Sequence, residues 1–453
     1  MISTAQKHKK FELTPPQILV LGFAAIILLG TILLTLPFSS ADGLPTPVLD
    51  ALFTATSAAC VTGLVVVDTG LHWSLFGKIV IIIMIQVGGL GFMTMSTLFA
   101  FVLKKRISLK ERLILQEAMN QGSMEGIVRL IRKVLVYSLT IELAGAILFA
   151  IRWSFDLGVA RGIGYGFFHA ISFFNNAGFD LFGAVSGPFT GLTSYADDAL
   201  VNVVSMALIV LGGLGFVVLS DLLEFKQKRR LSLHSKVVLS ASGLLIVLGA
   251  IVIFAFEYSN TRTLGPLGWD GKVLASFFQS VSPRTAGANS VDMAGLRQAS
   301  QLFIIILMFI GASPGSTGGG VKTTTFTVLV GAMIAMIRGK EDIVLFRSRL
   351  GKDRILKAIT LTMLALFLVM IVTMLLSTTE DHSFLMILFE VTSAFGTVGL
   401  SMGLTPDLST FGKVMIALTM FAGRLGPLTL AYALGPKAEK ELYRYPEGKI
   451  TIG

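Results

Sequence analysis

Cysteine is almost absent from this chain: Cys60 is the one thiol in 453 residues. An internal disulfide framework is therefore excluded, and the compartment is left open on that ground. Charge is scarce as well, with 14% of residues ionisable as Asp, Glu, Lys or Arg, where a soluble domain carries roughly 25%. Histidine is sparse: His8, His72, His169, His234 and His382 stand at no metal-ligand spacing. No serine-nucleophile motif occurs. Hydrolytic and metal-centred catalysis thus lack their residues, and the sequence gives no sign of an enzyme.

What the chain has instead is apolar length. Hydrophobic residues make up 53% of it, and runs of about 20 apolar residues, the bilayer-spanning length, recur along it. The start resembles a signal peptide, with Lys7, Lys9 and Lys10 ahead of an apolar run from Gln17 to Leu36. Pro37 ends that run, no small-residue cleavage site follows, and further spans come after, so it reads as a first anchor.

The net charge of +10 invites a nucleic-acid reading, but its placement argues for a membrane. Of 37 Lys and Arg, 27 fall within residues 1–16, 104–133, 225–236, 338–357 and 436–453. These segments alternate with pairs of apolar spans, the positive-inside pattern, which puts both termini and the three basic linkers in the cytoplasm. No nucleic-acid partner is expected.

One short pattern occurs four times: Cys60-Val61-Thr62-Gly63-Leu64, Asn175-Asn176-Ala177-Gly178-Phe179, Arg284-Thr285-Ala286-Gly287-Ala288 and Gly396-Thr397-Val398-Gly399-Leu400. Its glycines are spaced by 115, 109 and 112 residues, so one structural unit is present in four copies. Each copy reads as an apolar span, a short mixed segment, the glycine loop and a second apolar span. First spans are expected near 17–37, 134–151, 237–256 and 358–376, second spans near 75–103, 199–223, 300–337 and 410–434. The mixed segments Pro47–Ala59, Arg161–Phe174, Asp270–Ser282 and His382–Ala394 are too short to cross a bilayer and suit re-entrant half-helices. Asp50, Asp270 and Asp381 near their starts favour helix initiation.

The fold expected is an all-α polytopic membrane protein of four span–pore-helix–span repeats. It has eight transmembrane helices plus four re-entrant half-helices around one central pore. The repeats are 1–103 with an N-terminal arm, 134–224, 237–337 and 358–435. Cytoplasmic linkers 104–133, 225–236 and 338–357 separate them, and a cytoplasmic tail, 436–453, follows.

Glycine reaches positive φ and lets neighbouring carbonyls point inward, which suits a cation filter. The expected lining is Val61, Thr62 and Gly63; Asn176, Ala177 and Gly178; Thr285, Ala286 and Gly287; and Thr397, Val398 and Gly399. One good ion site at Gly63, Gly178, Gly287 and Gly399 is expected. Asp68, Asp180 and Asp292 follow three of the loops and would concentrate cations at the outer mouth.

The second spans carry Gly88-Gly89-Leu90-Gly91, Gly212-Gly213-Leu214-Gly215 and Gly423-Arg424-Leu425-Gly426, which are expected to pack closely against the half-helices. The third repeat departs from this with Gly311-Ala312-Ser313-Pro314-Gly315-Ser316-Thr317-Gly318-Gly319-Gly320. A helix through it would lose roughly 1 kcal/mol per glycine and about 3 for the proline, so an intramembrane loop is expected at 311–320, read as a movable gate. Gly315 to Thr323 mimics a phosphate-binding loop, but Val321 separates Gly320 from Lys322 and no strand precedes it; no nucleotide or organic cofactor is expected on this chain. Lys322 is read as a charge that holds the gate or repels cations. Arg424 stands where Gly89 and Gly213 stand in their repeats, and is read as holding the gate through backbone carbonyls. Glu390 and Arg284 are candidates to pair behind the filter, and Glu142 shows no evident partner.

These motifs resemble the Trk/Ktr/HKT superfamily of potassium transporters, and within it the membrane subunit of bacterial Ktr systems (KtrB/KtrD type). The resemblance runs from Phe11-Glu12-Leu13-Thr14-Pro15-Pro16-Gln17 to Arg444-Tyr445-Pro446-Glu447-Gly448. It implies that Gly63, Gly178, Gly287 and Gly399 are the filter glycines, that 311–320 is the gating loop and that Arg424 is the arginine associated with it. A glycine at the first position, where sodium-favouring plant relatives carry serine, implies potassium; Ala288 departs from the phenylalanine usual there. The resemblance further implies potassium uptake across a bacterial plasma membrane, a homodimer, a cytoplasmic ring of nucleotide-binding regulatory (RCK-type) subunits and stimulation by sodium. The basic linkers are the docking surfaces it suggests. Two other readings remain open: a sodium-permeable transporter of the same fold, and a secondary solute symporter, which would be expected to show inverted repeats.

Overall fold

The computed structural model describes residues 13–91, 94, 109–118, 127–434 and 446. The arm 1–12, residues 92–93 and 95–103 of the second span expected at 75–103, residues 104–108 and 119–126 of linker 104–133, and the tail beyond 434 apart from Pro446 lie outside the described residues, so the expectations made for them are not addressed structurally.

Helix dominates. Four helices are long and apolar enough to cross a membrane among the described residues: Pro15–Thr35, Val128–Leu157, Leu233–Glu257 and Lys352–Thr379. Two of them begin where the sequence supplies a start. Pro15 follows Thr14, whose backbone N–H donates to Gln17 Oε1 at 3.0 Å; Ser232 caps Leu233–Glu257 by accepting from Ser235 N. The 134–151 expectation was too short at both ends, because the helix runs Ile127–Leu157 and takes in part of the basic linker.

After each long helix comes a shorter one: Val48–Cys60, Val159–Phe174, Trp269–Val281 and Phe384–Gly396. Their bounds fall within three residues of the expected half-helices. Asp50 and Asp270 sit in first turns, whereas Asp381 precedes its helix and Ser383 caps it instead, accepting from Met386 N. The C-terminal ends of all four are buried: Ala58, Ala59 and Cys60 in the first and Phe395 in the fourth are at most 1% exposed.

The second spans differ from expectation. Continuous helices were anticipated in repeats one, two and four, but each helix stops at a glycine of positive φ. Leu75–Leu90 ends before Gly91 at +82°, Ala199–Leu214 before Gly215 at +92°, and Thr410–Leu425 before Gly426 at +83°. The chain then bends by 101° into Phe216–Lys228 and by 92° into Pro427–Leu434. The backbone donor released at Gly215 is taken up by the segment 311–320, since Phe216 N donates to Gly315 O at 2.9 Å. Proline at 427 has no N–H to satisfy. Irregular backbone at membrane depth persists only with such partners. In repeat three the helices Gln298–Phe309 and Thr323–Ile337 flank an open loop, as anticipated. Linker 338–357 contains a small antiparallel hairpin, Val344–Leu345 with Ser348–Arg349.

Carboxylates tie the two spans of repeats three and four together at one end. Glu257 Oε1 accepts from Arg297 N at 2.9 Å, the start of the second span, while Glu257 Oε2 accepts from Thr263 Oγ1 and Asn260 Nδ2 at 2.6 Å each. Glu380 does the same for Ser409, accepting its N–H at 3.0 Å and its hydroxyl at 2.5 Å. Arg297 offers its helix no side-chain cap, so Glu257 supplies one from the neighbouring span. Ser300 Oγ donates to Glu257 Oε1 as well, so Glu257→Ala removes the acceptor of four donors in a buried site; the expected cost is about 2–4 kcal/mol, read as a lowered midpoint of thermal unfolding in detergent micelles, and an unshifted midpoint would contradict this role.

Candidate functional site

The four loops that leave the shorter helices meet. Each loop carries a positive φ two residues before its glycine and again at the glycine: Val61 +57° and Gly63 +90°, Asn176 +57° and Gly178 +69°, Thr285 +77° and Gly287 +69°, Thr397 +50° and Gly399 +95°. The residue between them keeps negative φ, and alternation of sign turns successive carbonyls toward one side of the chain.

Adjacent loops touch through the space that a side chain would fill. A Cβ on Gly63 would stand 2.3 Å from Ala177 O, one on Gly178 2.8 Å from Ala286 O, one on Gly287 2.2 Å from Val398 O, and one on Gly399 2.2 Å from Thr62 O. These contacts close a ring in chain order, loop one to two to three to four and back to one. Of the lining residues named from the sequence, Val61, Thr62, Asn176, Ala177, Thr285, Ala286, Thr397 and Val398 are 0% exposed; Gly63 and Gly287 are buried, and Gly178 and Gly399 are partly exposed.

A serine braces each loop, which sequence reasoning missed. Ser57 Oγ accepts from Gly63 N at 3.0 Å and Ser393 Oγ from Gly399 N at 3.1 Å. Ser172 Oγ donates to Phe179 O at 2.7 Å, and Ser282 Oγ donates to Ala288 O. The serines precede their glycines by six residues, or five in loop three, and that near-constant offset was the available signal. Loops two and three are also joined directly, the Asn176 amide meeting Thr285 Oγ1 at 3.1 Å.

The glycines of the second spans pack on the ends of the short helices. A Cβ on Gly88 would lie 2.0 Å from Ala59 O, one on Gly212 1.8 Å from Phe174 O, and one on Gly423 2.0 Å from Phe395 O. Three spans therefore press against the helix termini that carry the ring.

The segment 311–320 lies against the ring. A Cβ on Gly318 would stand 2.0 Å from Thr285 Oγ1, and Gly319 N donates to Thr397 Oγ1 at 2.9 Å. The segment is held by backbone from repeat two, with Ser313 N on Gly213 O at 3.0 Å and Thr317 N on Gly212 O at 3.3 Å. Ser313 Oγ meets Thr323 Oγ1 at 2.9 Å, and Ser316 Oγ closes on Ser313 O at 2.6 Å. Gly311 N donates to Val321 O at 2.8 Å, pinching the neck of the loop. Lys322 Nζ donates to Gly318 O at 2.6 Å and Gly319 O at 3.3 Å. Arg424 donates through Nη1 to Thr317 O and through Nη2 to Gly88 O and, at 3.1 Å, to Gly89 O. One guanidinium thus joins the segment to the second span of repeat one.

Two cavities flank this assembly. One of about 250 Å³ is lined by Gly63, Gly178, Gly287, Gly399 and by Asp68, Asp180 and Asp292. The other, of about 270 Å³, is lined by Gly318, Gly320, Lys322 and Arg424. Acidic side chains therefore face one side of the ring and basic ones the other. Asp180 stands on the loop outside the spanning helices; burial, reinforced by the neighbouring Asp68 carboxylate, pushes its pKa up to about 7.

One expectation about charge fails. Arg284 does not meet Glu390: its guanidinium turns back to Ser242, with Nη2 on Ser242 Oγ at 3.0 Å, while Glu390 accepts from Ser401 Oγ at 2.8 Å and from Thr405 Oγ1. Glu142, for which the sequence showed no evident partner, has the amides of Gln86 and Asn175 on it. Among the described residues no group of His, Cys, Asp and Glu is arranged to hold a metal ion.

Known proteins resemble the chain along its length. Residues 5–440 match the TrkH family, described as a cation transport protein. The chain is 44% identical to the Ktr system potassium uptake protein B of Bacillus subtilis, across 99% of this chain and 100% of that protein. It is 41% identical to the potassium/sodium uptake protein NtpJ of Enterococcus hirae, across 99% of each. The potassium transporter TrkH of Vibrio parahaemolyticus has the same fold, with a TM-score of 0.72 at 19% identity over 95% of this chain and 86% of that one. A ring of glycine loops with a glycine-rich segment against it accompanies this full-length similarity, which places the chain in the TrkH family of cation transport proteins.

Proposed function

We propose that this chain takes up potassium through one pore, along an axis enclosed by the four glycine loops. The single observation that carries this reading is the closed ring, in which the carbonyls of Thr62, Ala177, Ala286 and Val398 each sit against the glycine of the preceding loop, Gly399, Gly63, Gly178 and Gly287 in turn. Carbonyls arranged around an axis replace the hydration shell of a monovalent cation. The four short helices end at the ring, so their C-terminal dipoles favour a cation by roughly 0.3–1 kcal/mol each. The wider architecture is eight membrane crossings and four re-entrant helices, the bent second spans each counting as one crossing. The chain works in the plasma membrane with both termini cytoplasmic, as a homodimer on a cytoplasmic regulatory subunit ring. The names of the relatives, Ktr system potassium uptake proteins among them, support the substrate. Sodium is the second reading, favoured by the potassium/sodium relative from Enterococcus hirae, either as a permeant ion or as an activator.

Loop one gives the sharpest test of selectivity. Gly63 has φ +90° and no room for a Cβ beside Ala177 O, so Gly63→Ser must push loops one and two apart. Preference for potassium over sodium is expected to fall about tenfold in radiotracer uptake, one lost coordination contact of about 1.4 kcal/mol; unchanged preference would contradict the assignment of loop one.

The segment 311–320 is read as the gate, closed by Lys322 and Arg424. Arg424→Ala removes the bridge between Thr317 and Gly88, and basal flux is expected to rise several-fold in proteoliposomes; equal or lower flux in a correctly inserted variant would contradict the bridge.

At the outer mouth, a carboxyl with a pKa of about 7 is neutral below that pH and charged above it. Uptake from sub-saturating potassium is therefore expected to rise as external pH goes from 6 to 8, and Asp180→Asn to flatten the rise. A profile unaltered by Asp180→Asn would remove Asp180 from the mouth's electrostatics.

A further inference from the structure

Three residues before each ring glycine stand Cys60, Asn175, Arg284 and Gly396. At two of these positions a buried polar side chain reaches back to the first span of its own repeat. Arg284 meets Ser242 in Leu233–Glu257, and Asn175 meets Glu142 in Ile127–Leu157. Cys60 and Gly396 have no such reach. Loops two and three, already joined by Asn176 and Thr285, therefore form an anchored half of the ring.

The anchor of loop two is a closed cluster. Glu142 is 5% exposed and Asn175 is 0% exposed. Gln86 Nε2 donates to both oxygens of Glu142 at 3.1 Å, and Asn175 Nδ2 donates to Glu142 Oε1 at 3.0 Å and to Gln86 Oε1 at 2.8 Å. A head that only accepts is what this site needs, because the amides direct their N–H groups at it. Beside it, Gly89 leaves no space for a Cβ, which would lie 2.1 Å from Asn175 Oδ1. The second span of repeat one thus presses on the residue that begins loop two. Nothing in gating or ion coordination requires Glu142 itself, since it touches neither the ring carbonyls nor the segment 311–320.

We infer that Glu142 is a positioning residue for ion selection: by holding Asn175 and Gln86 it fixes the entry of loop two, and so the place of Ala177 O and Gly178 in the ring. This rests on the reading of the ring as a potassium filter. The cost of losing such a carboxylate falls on discrimination and apparent affinity rather than on the amount of folded protein, provided an isosteric residue fills the space.

The test measures potassium and sodium uptake at matched membrane levels for wild type, Glu142→Gln, the exchange Gln86→Glu with Glu142→Gln, and Gly178→Ser. Glu142→Gln sets an amide N–H against those of Gln86; the KM for potassium is expected to rise roughly tenfold, the size of one charge-assisted hydrogen bond, with a several-fold loss of preference over sodium. The exchange returns one carboxylate and one amide to the same contact and is expected to restore both values to within about twofold, which general loss of stability would not allow. If Glu142→Gln matches wild type, or the exchange does no better than Glu142→Gln while Gly178→Ser alters selectivity, the inference about Glu142 falls and the filter stands. If Gly178→Ser also leaves selectivity unchanged, the filter reading falls and takes this inference with it.

Discussion

The structure depends on a reciprocal absence. Each ring glycine lacks a Cβ, and into that space comes the carbonyl-bearing backbone of the next loop, within 2.2–2.8 Å of where the Cβ would be. A methyl group at any of the four positions breaks the closure, because the obstructing atoms are backbone and cannot rotate away. The surrounding elements serve to keep that closure: serines hold the loops to their helices, and second-span glycines bring helices onto the ends of the short ones. Close packing of this type has no slack, so a substitution distant from the axis is felt at the ring.

Charge is distributed to match. Carboxylates line the cavity on one side and the basic side chains of Lys322, Lys357 and Arg424 the other. Lys322 and Arg424 face backbone carbonyls rather than carboxylates, and between them they tie 311–320 to itself and to repeats one and four. The segment touches the ring directly, since Gly319 N donates to Thr397 Oγ1 of the fourth loop. Under the proposed function this contact would couple the position of the gate to the fourth wall.

Much of this was legible in the residues. Four glycines at a near-constant period announced four equivalent loops, and the polar runs before them gave the short helices to within three residues. The glycine- and proline-rich run at 311–320 could not be helical, and Arg424 in place of a glycine marked a contact to be found. What could not be read was reach across repeats. Arg424 lies more than 300 residues from Gly88 in sequence, and periodicity carries no information on which wall adjoins which. The bends at Gly215 and Gly426 were missed because a glycine that packs and a glycine that breaks a helix look alike until the partner of the freed N–H is known. Arg284 and Glu390 seemed suited to each other by charge, but Arg284 turns to Ser242 and Glu390 is met by the hydroxyls of Ser401 and Thr405.

The central claim is that a dehydrated monovalent cation rests within the closed ring. Anomalous scattering from crystals of the full chain grown with thallium(I) in place of potassium tests it most directly. A peak enclosed by the loops at Gly63, Gly178, Gly287 and Gly399, at carbonyl coordination distance from Thr62, Ala177, Ala286 and Val398, is the expected result. Thallium density that avoids the ring and collects only at surface carboxylates would contradict it.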